Sequence, residues 1–178
     1  MRCFIAFELP KEIKDYLFEI ENKIRDNNSK IHFVAKKNLH LTLKFLGDVD
    51  EDLLKDVKER LKNIKFKSFK IKLGKIGVFP NESYIRVVWV GLNPKEKVIE
   101  LQQLIDSELL DLSEKDQEFS AHLTLGRVKF IKDKKKFLEK LKIEIEEKEF
   151  LVEEFKLMKS ELSKDGPTYS EIEKYMLK

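Results

Sequence analysis

"NLHLTLKFLG" (residues 38–47) and "AHLTLGR" (residues 121–127) carry the same tetrapeptide, and two of the chain's three histidines open it. A chain so poor in histidine that sets it twice before Leu-Thr-Leu invites a structural reading of the repeat. In a β-strand, alternate side chains share a face and residues two apart are separated by roughly 6.6 Å. His40 and Thr42 therefore point one way, while Leu41 and Leu43 point the other way into a core. His122 and Thr124 repeat the arrangement over Leu123 and Leu125. If an approximate two-fold axis relates the two copies, two imidazoles and two hydroxyls converge on one shallow cleft.

That set suits chemistry at a phosphodiester. In-line displacement places the attacking and leaving oxygens at opposite poles of the phosphorus, so a base and an acid must reach it from opposite sides. The unperturbed histidine pKa, near 6.5, lets one ring be neutral and its partner protonated around neutral pH. Threonine hydroxyls donate to the non-bridging oxygens, where charge gathers in the transition state. Taken singly, each residue has a plainer reading: a strand histidine is commonly just half-buried, and β-branched threonine suits any pleat. The repeat turns the balance toward catalysis. His32 has no Leu-Thr-Leu partner and reads as structural. Two histidines without nearby cysteine or acidic ligands make a poor zinc site, so neither metal nor cofactor is expected.

Composition narrows the classes. The 178 residues fit one domain or two small lobes sharing a core, and 42% hydrophobic residues argue against disorder. Lys+Arg total 36 against Asp+Glu 33, and a net charge of +3 is too mild for bulk attraction to nucleic acid. Any polyanion contact must come from a local cluster of cations. The single cysteine, Cys3, forms no internal disulfide and suits a reducing cytoplasm, where a buried strand position is expected for it. No apolar run reaches the length of a membrane span, and the N-terminal segment lacks the features of a signal peptide. Heavy use of Lys, Glu and Ile hints at a thermophile.

The pattern predicts a strand over "RCFIAFEL", then a helix after Pro10 with Ile13, Tyr16, Leu17, Ile20 and Ile24 as its apolar stripe. "IHFVAKKNLHLTLKFLG" supplies one or two strands. A helix follows, with Asp50 as its cap and Leu54, Val57, Leu61 and Ile64 inward. Phe69, Ile71 and Leu73 alternate as a half-exposed strand, "FPNES" reads as a loop, and "YIRVVWVGL" returns as a strand. A third helix opens at Asn93-Pro94, the second motif strand leads into the basic helix "KDKKKFLEKLK", and "FLVEEFKLMKSEL" and "TYSEIEKYML" close the chain as two strands around a turn at residues 164–167. The expected fold is α+β: two pseudo-two-fold related antiparallel sheets with flanking helices and a central cleft, one bilobed domain over 1–178.

The chain resembles the two-histidine phosphoesterases, defined by a pair of His-x-Thr-x motifs, and within them the RNA 2′,3′-cyclic phosphodiesterases, also called 2′-5′ RNA ligases. The likeness runs through "RCFIAFELP", "NLHLTLKFLGDV", "KIGVFP", "RVVWVGL", "HLTLGRVK" and "SELSKDGPTYSEI". It departs at Ala121, where the family often has proline, and at Phe33, where it usually has tryptophan. The resemblance implies hydrolysis of 2′,3′-cyclic phosphate ends of RNA to 2′-phosphates, with His40 as proton donor, His122 as proton acceptor, and Thr42 and Thr124 on the phosphate oxygens. It implies 2′-5′ ligation as a side reaction, tRNA halves as substrate and no cofactor; a monomer is the default expectation, and the single cysteine points to the cytoplasm. Arg127 stands on the opposite alternation from His122 and Thr124, so it either reaches a phosphate or base through a strand bend or bulge or is a solvated or salt-bridged arginine. Phe45 and Phe7 are candidate base-stacking surfaces, against the commoner role of core packing among 13 phenylalanines, and the lysines at 132–136 are either a steering surface or a plain solvated helix face. Cyclic phosphates of small nucleotides, or an RNA-end-binding module without turnover, are the alternatives.

Overall fold

The computed structural model describes residues 1–115 and 118–178. The first half of the chain runs β1 (Arg2–Glu8), α1 (Lys11–Ile24), β2 (Ser29–Phe33), a 3₁₀ turn at Lys36–Asn38, β3 (His40–Asp48), α2 (Glu51–Leu61) and β4 (Phe69–Asn81). The second half runs β5 (Tyr84–Asn93), α3 (Lys95–Glu108), β6 (His122–Ile131), α4 (Lys134–Lys140), β7 (Glu149–Val152), β8 (Glu154–Ser163) and β9 (Gly166–Met176). Local rules set the boundaries. The Asp50 carboxylate accepts from Leu53 N at 2.8 Å and caps α2, and Asp133 caps α4 by accepting from Lys136 N at 3.0 Å. Ile13, Leu17, Ile20 and Ile24 of α1 are all buried.

Both sheets are antiparallel. Sheet A has the order β3-β1-β8-β9 and sheet B the order β2-β6-β5-β4-β7. Each half of the chain builds strand, helix, motif strand, helix, and then sends its next long strand into the other half's sheet: β4 pairs with β5, and β8 pairs with β1. One hydrophobic core joins both sheets and the helices, from Ile5, Phe7 and Leu41 to Val88, Leu123 and Phe155. The α+β architecture of two related antiparallel sheets is the one expected.

Two local expectations are corrected. Phe79-Pro80-Asn81 is not a loop; β4 continues through Asn81 and turns into β5 across only residues 82–83. The run from Phe150 to Leu162 is not one strand. It breaks at Glu153, so that β7 adds to the edge of sheet B beside β4 while β8 crosses to sheet A.

Candidate active site

The motif strands β3 and β6 come into contact with one another across the two sheets. Both show the same burial sequence over six residues, half-buried, buried, half-buried, buried, buried, exposed, for His40 to Phe45 and for His122 to Arg127. Strict alternation would make the fifth residue half-buried and the sixth buried. The register explains the break. Thr42 opposes Ala6 and Lys44 opposes Ile5, so Leu43 is an extra residue in β3. Thr124 opposes Trp89 and Gly126 opposes Val88, so Leu125 is an extra residue in β6. A bulge at the second leucine of each motif reverses the alternation beyond it. Phe45 and Arg127 thereby join the histidine and threonine on the outer face, and Lys44 and Gly126 turn inward. The bulge that Arg127 required is present.

The two imidazoles are held alike. His40 Nδ1 lies 2.6 Å from Asn38 O, and His122 Nδ1 lies 2.7 Å from Ser120 O, each carbonyl two residues upstream. A carbonyl only accepts, so Nδ1 carries the hydrogen and donates, and the neutral ring presents its Nε2 lone pair away from that anchor. His40 Nε2 is 2.9 Å from Thr42 Oγ1. Among the described residues His122 Nε2 has no hydrogen-bond partner. The anchors are themselves fixed: Asn38 is buried and its Nδ2 donates to Pro167 O at 2.9 Å.

Burial lowers the pKa of both rings. For His40 the hydrogen bond to Asn38 opposes that shift, Lys14 adds to it and Glu8 counters it. For His122 the bond to Ser120 opposes it and Arg127 adds to it. Arg127 also counters the rise that burial imposes on the Tyr169 hydroxyl, and Tyr169 meets His40 edge-on at 5.3 Å between centroids. One guanidinium thus acts on His122 in sheet B and on the neighbour of His40 in sheet A.

Aromatic rings that sequence reasoning passed over frame both histidines. Phe4 lies 5.1 Å from His40, and Phe79 lies 4.9 Å from His122 with Trp89 at 6.4 Å. Phe45 is 72% exposed, and its ring is 6.3 Å from Phe4. Phe7 does not belong to this surface. It is 1% exposed and packs in the main core, because odd-numbered residues of β1 face inward while Phe4 and Ala6 face out. The period-2 alternation of "CFIAF" held that signal. His32 is exposed on β2, directly opposite Arg127. A pocket of about 150 Å³ beside His40 is lined by Phe4, Ala6, Glu8, Met158 and Tyr169 among others. Among the described residues no group of three or more His, Cys, Asp or Glu side chains is placed to hold a metal ion. No helix among them is long and apolar enough to cross a membrane.

The family model described as LigT like Phosphoesterase matches the chain twice, over residues 7–89 and 90–169, one match for each half and its motif. The RNA 2′,3′-cyclic phosphodiesterase of Methanocaldococcus jannaschii is 40% identical over 98% of this chain and 100% of its own length. That of Methanothermobacter thermautotrophicus is 33% identical over 99% of each. The crystal structure of TT0787 from Thermus thermophilus superposes with a TM-score of 0.83 at 29% identity, covering 99% of this chain and 98% of that one. Escherichia coli LigT in complex with 3′-AMP gives 0.78 at 26% identity, covering 99% and 96%. Two tandem motif halves, one fold and full-length relatives agree: the chain belongs to the LigT-like phosphoesterase family.

Proposed function

We propose that this protein opens 2′,3′-cyclic phosphates at RNA ends by acid–base catalysis between His40 and His122, leaving a 2′-phosphomonoester. Water attacks the phosphorus as His122 Nε2 accepts its proton. The bond from phosphorus to O3′ breaks as protonated His40 delivers its Nε2 proton to that oxygen, and the bond to O2′ is kept. Thr42, Thr124 and Arg127 donate to the non-bridging oxygens, and Phe45 offers its exposed ring to a base. A 5′-hydroxyl in place of water at the same phosphorus gives a 2′-5′ linkage, so ligation needs no separate site or nucleotide cofactor. The observation that carries this reading is the matched anchoring of both imidazoles through Nδ1, which leaves each Nε2 for proton transfer. The free Nε2 of His122 suits the base.

We further propose that residues 1–178 act as a single bilobed unit, because each half completes the other's sheet. The same reading has it work as a cytoplasmic monomer, with tRNA halves among its substrates. Phosphorus NMR of an oligonucleotide ending in a 2′,3′-cyclic phosphate, with enzyme and EDTA, tests the reaction. The cyclic resonance should give way to that of a 2′-monophosphate. A 3′-monophosphate product, or activity lost to EDTA, would contradict the mechanism.

A further inference from the structure

We propose that Lys30 and His32 on β2, with Phe130 on β6, continue the outer face from Arg127 as a docking track for the single-stranded RNA lying 5′ of the cyclic phosphate, a proposal that rests on the reading that this site acts on RNA ends. The strand register places these residues. In β2 the partly buried Ile31 and Phe33 pack on the core, so Lys30 and His32, both exposed, occupy the opposite face. His32 directly opposes Arg127, and Lys30 directly opposes Phe130. Residues directly opposed in an antiparallel pair share a face, with Cβ atoms roughly 4.5–5.5 Å apart.

A second bulge in β6 makes the pairing possible. Ile31 opposes Val128 and Lys30 opposes Phe130, so Lys129 is the extra residue. Without it Phe130 would follow Val128 into the core; with it the ring is 59% exposed beside Lys30. The row that begins at Phe79, in ring contact with His122, runs through Val87 and Arg127 to His32. It is continuous with the site.

Charge selects the occupant. On sheet A, Lys156 opposite Ala6 is surrounded by Glu8, Glu154 and Glu171 at 2.7–3.4 Å and has no charge to spare. Among the described residues Lys30, His32 and Arg127 have no carboxylate partner. Lys30 and Arg127 without counterions, with an exposed imidazole between them and a bare aromatic ring beside them, match a strand of phosphates and unstacked bases. Stepping from His32 to Lys30 advances roughly 6.6 Å along β2, comparable with the step from one phosphate to the next in an extended strand. This is the local cluster that a net charge of +3 made necessary.

The test compares a mononucleoside 2′,3′-cyclic phosphate with a single-stranded oligonucleotide of about eight residues bearing the same end. All three positions are exposed or face solvent, so the triple variant Lys30→Ser, His32→Ser, Phe130→Ser should fold, and thermal melting checks it. KM for the oligonucleotide should rise about tenfold or more, and its salt dependence should flatten by about 0.7 in log–log slope for each phosphate that the variant no longer neutralises. Rates on the mononucleotide should stay within about twofold. Equal effects on both substrates, or none on the oligonucleotide, would overturn the track. If the wild-type protein turned over neither substrate, the activity reading would fail. Fluorescence anisotropy with the labelled oligonucleotide then decides separately, since equal affinity of wild type and variant would also overturn the track.

Discussion

Lys44 and Asp106 form an ion pair inside the protein, with side chains 2% and 4% exposed, between the first motif strand and α3. The same ammonium donates to Glu114 O at 2.6 Å, in the segment that leads toward Ser120 and His122. Lys44 is inward only because of the bulge at Leu43. The residue after one motif thus ties down the approach to the other.

Taking the ammonium out of a buried ion pair leaves a buried carboxylate without its cation, at a cost of about 3–5 kcal/mol. Lys44→Met should therefore lower the melting temperature by roughly 10 °C, at about 2–4 °C per kcal/mol for a chain of this size. Replacing both, Lys44→Met with Asp106→Leu, should recover part of that loss in thermal melts. A single variant as stable as wild type would show that the pair does not hold this junction.

Glu21 occupies on α1 the position that Asp106 holds on α3, three residues before the buried Ile24 and Leu109 that end each stripe. α1 packs on β6, where Gly126 stands in the place of Lys44. No lysine meets the acid, both its oxygens are unpartnered, and burial pushes its pKa from 4.5 up to about 8, with Arg25 countering. The unfolded carboxyl ionises near 4.5 while the folded one stays protonated. Stability should therefore fall as pH rises between about 4.5 and 8, by at most about 1.4 kcal/mol per pH unit from this group. Glu21→Gln should raise the melting temperature more at pH 8 than at pH 5. An equal gain at both would contradict a protonated Glu21.

Both catalytic candidates have pKa values lowered by burial, so in the free enzyme both rings give up their proton below the usual histidine range. Turnover needs one protonated ring. The alkaline limb of kcat/KM should thus lie below the ordinary histidine value, and the alkaline limb of kcat should lie higher, because a bound phosphate anion favours imidazolium at His40. Coincident limbs would rule out that coupling.

Loss of either ring should be severe. His40→Ala or His122→Ala should lower kcat by about 10² or more. Thr124→Val should lower it without moving the pH limbs, whereas Thr42→Val should lower it and also move the His40 limb, because the Thr42 hydroxyl bonds His40 Nε2. Full activity in either histidine variant would remove that residue from the chemistry.

The site's centre was legible in the sequence because period 2 is enough to put a histidine and threonine on one face of a strand. What lay beyond the motif was not, because bulges at Leu43, Leu125 and Lys129 reverse the alternation without any local mark. Arg127 and Phe130 owe their exposure to those extra residues. Phe7 was misplaced for the opposite reason: β1 keeps its alternation, and reading it strictly selects Phe4. The break at Glu153 was invisible because β7 and β8 share one apolar pattern, and only the pairing partners, β4 and β1, distinguish them. His32 read as structural, and its place opposite Arg127 comes from a ladder partner 95 positions away in the chain.

Most direct is a crystal structure with a nucleoside 2′-monophosphate, the product of the reaction, bound in the cleft. Nε2 of His40 and Nε2 of His122 should each lie within about 3.2 Å of oxygens on the same phosphorus, from opposite sides. A phosphate held by only one of the two rings would contradict the account.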